Sequence, residues 1–412
     1  MIKYDIGIIG GGPAGKAAAI SAYKNGAKKV AIFERDVTLG GVLWQCIHNG
    51  FGLTRFKENL TGPEYSEKFY NEVKKLPIDI FTETMVLSFS QGVIRAMNKE
   101  KGIFDVEVGA IILAMGSRER SRGALTIQGE RPAGVFSAGT AQRYMNIKGY
   151  SVGKKAVIVG SGDIGLIMAR RLTLEGTKVE AVCEIMPFSS GLRRNIVQCL
   201  EDFNIPLYLS HTVTEIKGRD RVKGVEIAKV DENKKAIPGT EFEIDCDTVL
   251  YSVGLVPENE LTKDAGVSLC PRTRGAVVDQ FRQTDMPGVF SCGNVLHVHD
   301  LVDFVSEEGE TAGKFATEYA LGKKREPKYA TTTAGAGVGY TLPQRIDVTD
   351  NRPFKIYFRV RAEKENATVC IKVGDKVIRE IKKDRVAPGE MEYIPFIAKD
   401  LREGDEVRVE VL

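Results

Sequence analysis

The chain has 412 residues, of which 43% are hydrophobic and 27% charged, with a formal net charge of +3. That length is too great for one ordinary core and suits two or three domains, and so small a charge gives no argument for nucleic acid or an acidic membrane surface as a partner. Residues 1–12 enter an apolar strand pattern without the flanks of a signal peptide, and no apolar run approaches the roughly 20 residues of a membrane helix. The seven cysteines (46, 183, 199, 246, 270, 292 and 370) are scattered, odd in number and free of any C-x-x-C pair. They predict neither a disulfide framework nor a zinc site; a reducing cytoplasm is expected, with most of them, including Cys183, Cys199, Cys246 and Cys270, as small core residues.

In chain order, residues 6–9 are a short apolar run, 10–15 a glycine turn, 13–25 an alanine-rich helix and 30–33 a second apolar run, which is a βαβ start. Gly10-x-Gly12-x-x-Gly15 thus lies between a strand and a helix opened by Pro13 and Ala14. Its glycines allow a tight turn and close backbone approach, and the helix N-terminus favours a diphosphate. Glu34, followed by Arg35, ends the second strand where a carboxylate can accept ribose hydroxyls. Residues 78–113 read as short strands punctuated at 90–92 and 98–102.

The same unit returns about 150 residues later: an apolar run at 156–159, the turn Gly160-x-Gly162-x-x-Gly165 with Asp163 and Ile164 opening a helix to about 174, and a run at 179–183 closed by Glu184. A carboxylate there accepts ribose hydroxyls but repels a 2′-phosphate, which predicts NAD(H) over NADP(H). Arg193 and Arg194 read as solvated helix charges. Beyond Pro327 the small, glycine-rich stretch reads as a linker over 329–345, and the period-two alternation that follows predicts a small β domain over 346–412.

Several segments resemble the two-dinucleotide-domain flavoprotein superfamily that includes thioredoxin reductase and glutathione reductase. They are Gly40-Gly41-Val42 after the acidic strand end, Ala114-Met115-Gly116 ending a strand, residues 248–257 with Gly254, and Gly293-Asn294 closing a late strand, where Asn294 stands in place of the usual Asp. The resemblance covers roughly residues 3–325 and implies an α/β fold with FAD in one Rossmann-like domain and NAD(H) in another. The FAD domain would be discontinuous (1–120 and 253–328) around an NAD(H) domain (121–252). The helix near Phe304 and Val305 would aim its N-terminus at the flavin, where its dipole stabilises negative charge.

Disulfide reductases of this superfamily pass electrons through a cysteine pair. Leu43 and His48 stand at one of the positions where such members carry it, and Ala138 and Ala141 at the other, so no intramolecular redox disulfide is expected. The alignment brings Cys46 and His48 beside the flavin as candidate catalytic residues. His48 is suited to proton exchange near neutrality, or to shaping the pocket as a packed histidine. Cys46 is suited to burial, or to the sulfenate chemistry of single-cysteine relatives. His297 and His299 form an H-x-H without nearby acidic or cysteine ligands, so no metal is expected.

Within the superfamily the strings LGGVLWQCIHNGFG and SRERSRGALTIQGERPAGVFSAGTAQ are most similar to the NAD/FAD-binding alpha subunits of dye-linked proline dehydrogenase, opine oxidase, hydrogen cyanide synthase and glycerol-3-phosphate dehydrogenase clusters. This resemblance implies hydride exchange between NAD(H) and FAD coupled to a second FAD-dependent dehydrogenase subunit. Because the tail carries only Cys370, any iron-sulfur cluster would sit on another chain, such as a small cysteine-rich protein. A self-contained NADH oxidase or small-substrate dehydrogenase, and a non-catalytic dinucleotide-binding scaffold, remain open alternatives at this point.

Overall fold

A computed structural model describes residues 2–125, 127–323 and 325–412. Two compact units emerge, one from Met1–Ser117 with Pro257–Leu412, the other from Arg118–Val256.

The first unit opens with β1 (Ile2–Ile9), α1 (Pro13–Lys24) and β2 (Val30–Phe33), the last buried at every position. Helix α2 (Gly62–Lys74) starts at a capping box in which Thr61 and Glu64 satisfy each other's backbone N–H groups. The strands β3 (Ile78–Phe81), β4 (Met85–Ser90), β5 (Val93–Asn98) and β6 (Gly102–Leu113) follow. They join one sheet in the order β3-β2-β1-β6-β5-β4. Its β3-β2-β1-β6 part is parallel, and β6-β5-β4 is an antiparallel meander. Parallel strands covered on both faces need near-continuous apolar runs, which is what VAIF and the end of β6 supply.

The second unit repeats the plan with β7 (Val135–Ser137), α3 (Ala138–Asn146), β8 (Lys155–Val159), α4 (Asp163–Leu174), β9 (Lys178–Glu184), β10 (Leu207–Leu209) and β11 (Thr248–Tyr251). Its sheet, in the order β7-β11-β8-β9-β10, is parallel throughout. Ile158, Leu166, Leu172, Val182 and Leu250 lie in its core.

The chain then returns to the first sheet, where β12 (Val289–Ser291) pairs in parallel with the end of β6. Helix α5 (Val302–Ala320) lies against α1. The approach is set by Gly309 and Gly313, where a Cβ would stand 2.3 Å from the Ala14 carbonyl oxygen and 2.2 Å from that of Ala18.

The tail departs from expectation. Residues 329–345, read as a linker, form β13 (Tyr329–Ala334), β14 (Val338–Leu342) and the start of β15 (Arg345–Asp347). Their β-branched threonines and small residues fit a pleated surface as well as they fit a loop, and β13 is held between β15 and β20. With β16 (Phe354–Val360), β17 (Lys364–Val373), β18 (Lys376–Val386), β19 (Glu392–Phe396) and β20 (Glu406–Val411) they form sheets ordered β15-β13-β20-β17-β18 and β14-β16-β19. The two share a core that includes Ala330, Val338, Phe358, Val369 and Val409. Among the described residues no helix is long and apolar enough to cross a membrane.

Candidate dinucleotide sites

At the first glycine turn, Gly10 has φ +103° and a Cβ there would stand 2.4 Å from the Ala114 carbonyl oxygen, while a Cβ at Gly15 would strike the Gly10 oxygen at 1.9 Å. Gly10 therefore seats the turn against the strand end that carries Ala114, with Met115 and Gly116 following, and Gly15 lets the helix start close on the turn. Gly12, the N-cap of α1, has nothing within 4 Å of its Cβ position and no side chain caps the helix. The first-turn N–H groups are thus left for an anion, with Pro13 and Ala14 beginning the helix.

Buried Glu34 accepts the Gly11 N–H at 2.8 Å through one oxygen and the Asp36 N–H at 2.9 Å through the other, which leaves each oxygen a lone pair for ribose hydroxyls. Arg35 is exposed beside it. The 39–41 turn folds over this cradle: the Gly40 N–H donates to the Gly11 oxygen at 2.9 Å, and a Cβ on Gly41 would lie 3.4 Å from Gly12 Cα. Val42 is 56% exposed at its edge. From the far end of the chain, a Cβ on Gly293 would lie 2.8 Å from Ala14 and 3.3 Å from Val305. The late segment and the start of α5 are thereby drawn to the same helix N-terminus, and Phe304 lies half-buried alongside. These open, amide-lined turns fit a dinucleotide diphosphate.

Behind Gly293 lies a cluster that local sequence did not disclose. Glu308, almost fully buried, accepts the Gly293 N–H at 2.7 Å, Arg282 Nε at 2.9 Å, His299 Nε2 at 3.0 Å and His297 Nε2 at 3.3 Å. Burial alone would push its carboxyl up, but His297, Arg282 and His299 outweigh that and hold it well below the usual carboxylate range. Burial and the neighbouring His299 push the His297 imidazole down to about 4, so the ring is neutral near pH 7. The reading of the H-x-H as lacking an acidic neighbour is therefore corrected, because α5 carries Glu308 back to both rings. Although the three side chains offer ligand atoms within 4.8 Å of one another, the Glu308 oxygens already serve four donors, one of them a guanidinium that a cation would have to face. The His299 backbone N–H also donates to Asn294 Oδ1 at 3.1 Å, which links the cluster to the residue that replaces the usual Asp.

The second turn has parallel geometry. A Cβ on Gly160 (φ +94°) would stand 2.2 Å from the Ser252 oxygen, and Gly162 caps α4 without a side-chain hydrogen bond. Gly165 N–H donates to Ser252 Oγ at 3.0 Å. Buried Glu184 accepts Ser161 N–H at 2.9 Å, Ser161 Oγ–H at 2.6 Å and Met186 N–H at 2.9 Å, so one lone-pair position remains for a ribose hydroxyl. One oxygen of Asp163, Oδ1, accepts Leu192 N–H at 2.8 Å and Asn195 Nδ2 at 2.7 Å, which ties the segment after β9 to the helix start formed by Asp163 and Ile164. Gly254 has φ +97° and an open Cβ position. Arg193 is exposed and pairs with Glu201 at 3.1 Å, and Arg194 is exposed.

All seven cysteines are thiols. Cys46, half-buried, lies against the start of α2, where a Cβ on Gly62 would be 2.8 Å from its own Cβ, and desolvation pushes its thiol up to about 12. Burial does the same to Cys183 and Cys246. Cys199 is buried too, whereas Cys270, expected in the core, is half-buried. The His48 ring packs at a tilt against Phe51, with ring centroids 5.1 Å apart. Leu43, Ala138 and Ala141 are buried side chains with no redox chemistry.

Two glycine turns, each backed by a buried carboxylate, define an oxidoreductase fold for two dinucleotides. The chain belongs to the Pyridine nucleotide-disulphide oxidoreductase family, whose pattern it matches over residues 4–320. Like other members it is an FAD-dependent pyridine-nucleotide oxidoreductase. It is 27% identical over 304 residues to an alkyl hydroperoxide reductase component of Pseudomonas aeruginosa, a match that covers 72% of this chain but only 54% of that protein. The crystal structure of T. acidophilum thioredoxin reductase superposes with TM-score 0.63 and 25% identity, covering 79% of this chain and all of that one. L-proline dehydrogenase from P. horikoshii shares the fold at TM-score 0.54 and 21% identity, covering 78% of this chain and 56% of that one.

Proposed function

We propose that this chain is the electron-transfer subunit of a multisubunit cytoplasmic dehydrogenase. It would exchange hydride between NAD(H) and FAD and pass electrons to a second FAD-dependent dehydrogenase subunit, with a small iron-sulfur or cysteine-rich protein in the same assembly. When bound, FAD supplies a two-electron centre that can accept hydride from NADH. The residues here bind and orient: Gly10, Gly12 and Gly15 with Glu34 for FAD, Gly160, Gly162 and Gly165 with Glu184 for NAD(H). Gly293, Asn294 and the α5 N-terminus complete the flavin side, while His48 shapes the pocket edge.

The observation that carries this reading is that Leu43 and His48, and likewise Ala138 and Ala141, stand where relatives keep a dithiol, together with a Cys46 thiol that burial keeps protonated. Electrons that cannot leave through a dithiol leave directly to another redox centre. The test is anaerobic reductive titration with dye reduction. Full reduction is expected to take about two electrons per FAD, and NADH-driven dye reduction is expected to survive in Cys46→Ser. Uptake of about four electrons, or near-total loss of dye reduction with a sulfenate trapped at Cys46, would move the protein among the thiol-cycling enzymes.

A further inference from the structure

Lys16 lies two residues beyond Ala14 on the helix whose N-terminus forms the FAD diphosphate site, and its own N–H closes on the Gly12 oxygen at 3.0 Å. Its side chain is fully buried, an unusual place for a lysine without a carboxylate partner. The Nζ donates to Ser66 O at 2.8 Å and Ser66 Oγ at 2.6 Å, both neutral acceptors on α2. Ser66 Oγ in turn lies 2.7 Å from where a Cβ on Gly40 would stand, and Gly40 is hydrogen-bonded to Gly11. Two residues, Ser66 and Gly40, therefore link the ammonium position to the turn that receives the diphosphate.

A buried cation whose hydrogen bonds all go to neutral oxygens is inclined to give up its proton unless further counter-charge arrives. We propose that Lys16 is the buried counter-charge to the FAD diphosphate, and that FAD binding is coupled to uptake of a proton from solvent at Lys16 Nζ.

Desolvation pulls the Lys16 amine down to about 7, and the Glu34 carboxylate after the end of β2 opposes that shift. From α2 the group is met by the Ser66 hydroxyl and carbonyl, and from β2 by Glu34. A diphosphate carries two further negative charges into a poorly solvated site, raises the amine again and restores the ammonium. The sign follows from linkage. Above the free-protein value near 7 the amine is neutral without FAD and charged with it, so binding consumes a proton and affinity falls with rising pH, about tenfold per unit. Below that value the ammonium already exists and binding is independent of pH.

The experiment is calorimetric titration of FAD into flavin-stripped protein at pH 6 and pH 8, in phosphate and in imidazole, whose differing ionisation enthalpies report the protons exchanged. Close to one proton taken up at pH 8 and almost none at pH 6 is expected for the wild-type chain. In Lys16→Met the pH 8 uptake and the tenfold-per-unit loss of affinity are expected to vanish. If that variant does not fold, Lys16→Arg serves, since a guanidinium stays charged and should also abolish uptake. Equal wild-type uptake at the two pH values, or undiminished uptake in either variant, overturns the proposal; failure of FAD to bind at all would instead refute the flavin assignment.

Discussion

Replacing Glu308 with Gln should damage the flavin unit far more than its size suggests. The carboxylate accepts four hydrogen bonds in a nearly dry site. A carboxamide keeps one acceptor oxygen and turns an NH2 group toward donors, so at least two donors lose their partner. One of the four is the Arg282 guanidinium, whose side chain is 5% exposed. Removing one member of a buried ion pair typically costs about 3–5 kcal/mol because the other charge stays behind uncompensated. That is a large share of the roughly 5–15 kcal/mol that stabilises an ordinary domain. FAD binding should weaken by tenfold or more, because the Gly293 N–H loses its acceptor and the Gly293-Asn294 segment its anchor. The assay is well placed: the chain has a single tryptophan, Trp44, within the flavin unit. Its fluorescence during denaturant unfolding reports that unit alone. A loss under about 1 kcal/mol with unchanged FAD affinity would show that Glu308 is not the hub its geometry describes.

Gly309→Ala puts a methyl 2.3 Å from the Ala14 oxygen. Parting α1 from α5 should cost about 1–3 kcal/mol in Trp44-monitored unfolding and weaken FAD binding; an effect within measurement error would mean the helices slide freely. Glu184→Ala should narrow the preference for NADH over NADPH, measured as anaerobic stopped-flow rates of flavin reduction. Losing hydrogen bonds to a charged acceptor is worth about 1.5–3 kcal/mol, so the ratio should fall by roughly tenfold or more. Equal or reversed rates in the wild-type chain would show that Glu184 does not decide specificity.

Both glycine turns were legible in the sequence because their chemistry is local. A strand, a glycine-rich turn and a helix start lie within 15 residues, and Glu34 or Glu184 follows at a spacing fixed by one βαβ unit. The meander was legible for the same reason, its turns falling at 90–92 and 98–102. The β13–β15 segment was not, since glycine and threonine serve loops and tightly packed strands alike and only pairing with β20 distinguishes them. Glu308 escaped because it reads as one of several acidic residues on an amphipathic helix. Its partners come from residues 282, 293, 297 and 299, and the signal available was a glutamate directly before the Gly309 that packs on α1. Lys16 gave its sign openly, as a lysine inside an alanine run on a buried helix, yet its bonding to Ser66 joins residues 50 apart.

The tail domain gains a physical role from the same cluster. The His297 and His299 rings lie 5.7 and 6.2 Å from the Tyr357 ring, and the Arg282 guanidinium carbon stands 5.8 Å from it. The Tyr340 hydroxyl reaches His297 Nδ1 at 3.4 Å. Arg359 pairs with Asp300 and donates to the Val298 oxygen at 3.1 Å, while the Met391 N–H donates to Asp300 at 2.7 Å. The loop that carries Gly293 and Asn294 is therefore pinned on one side by α5 and on the other by β14, β16 and the segment before β19. Water admitted at Tyr357 would solvate Glu308 and Arg282 separately and weaken the bond between them, since an ion pair loses most of its strength as the local dielectric rises. The β domain thus acts on the flavin segment by keeping dry the charges that hold Gly293 in place.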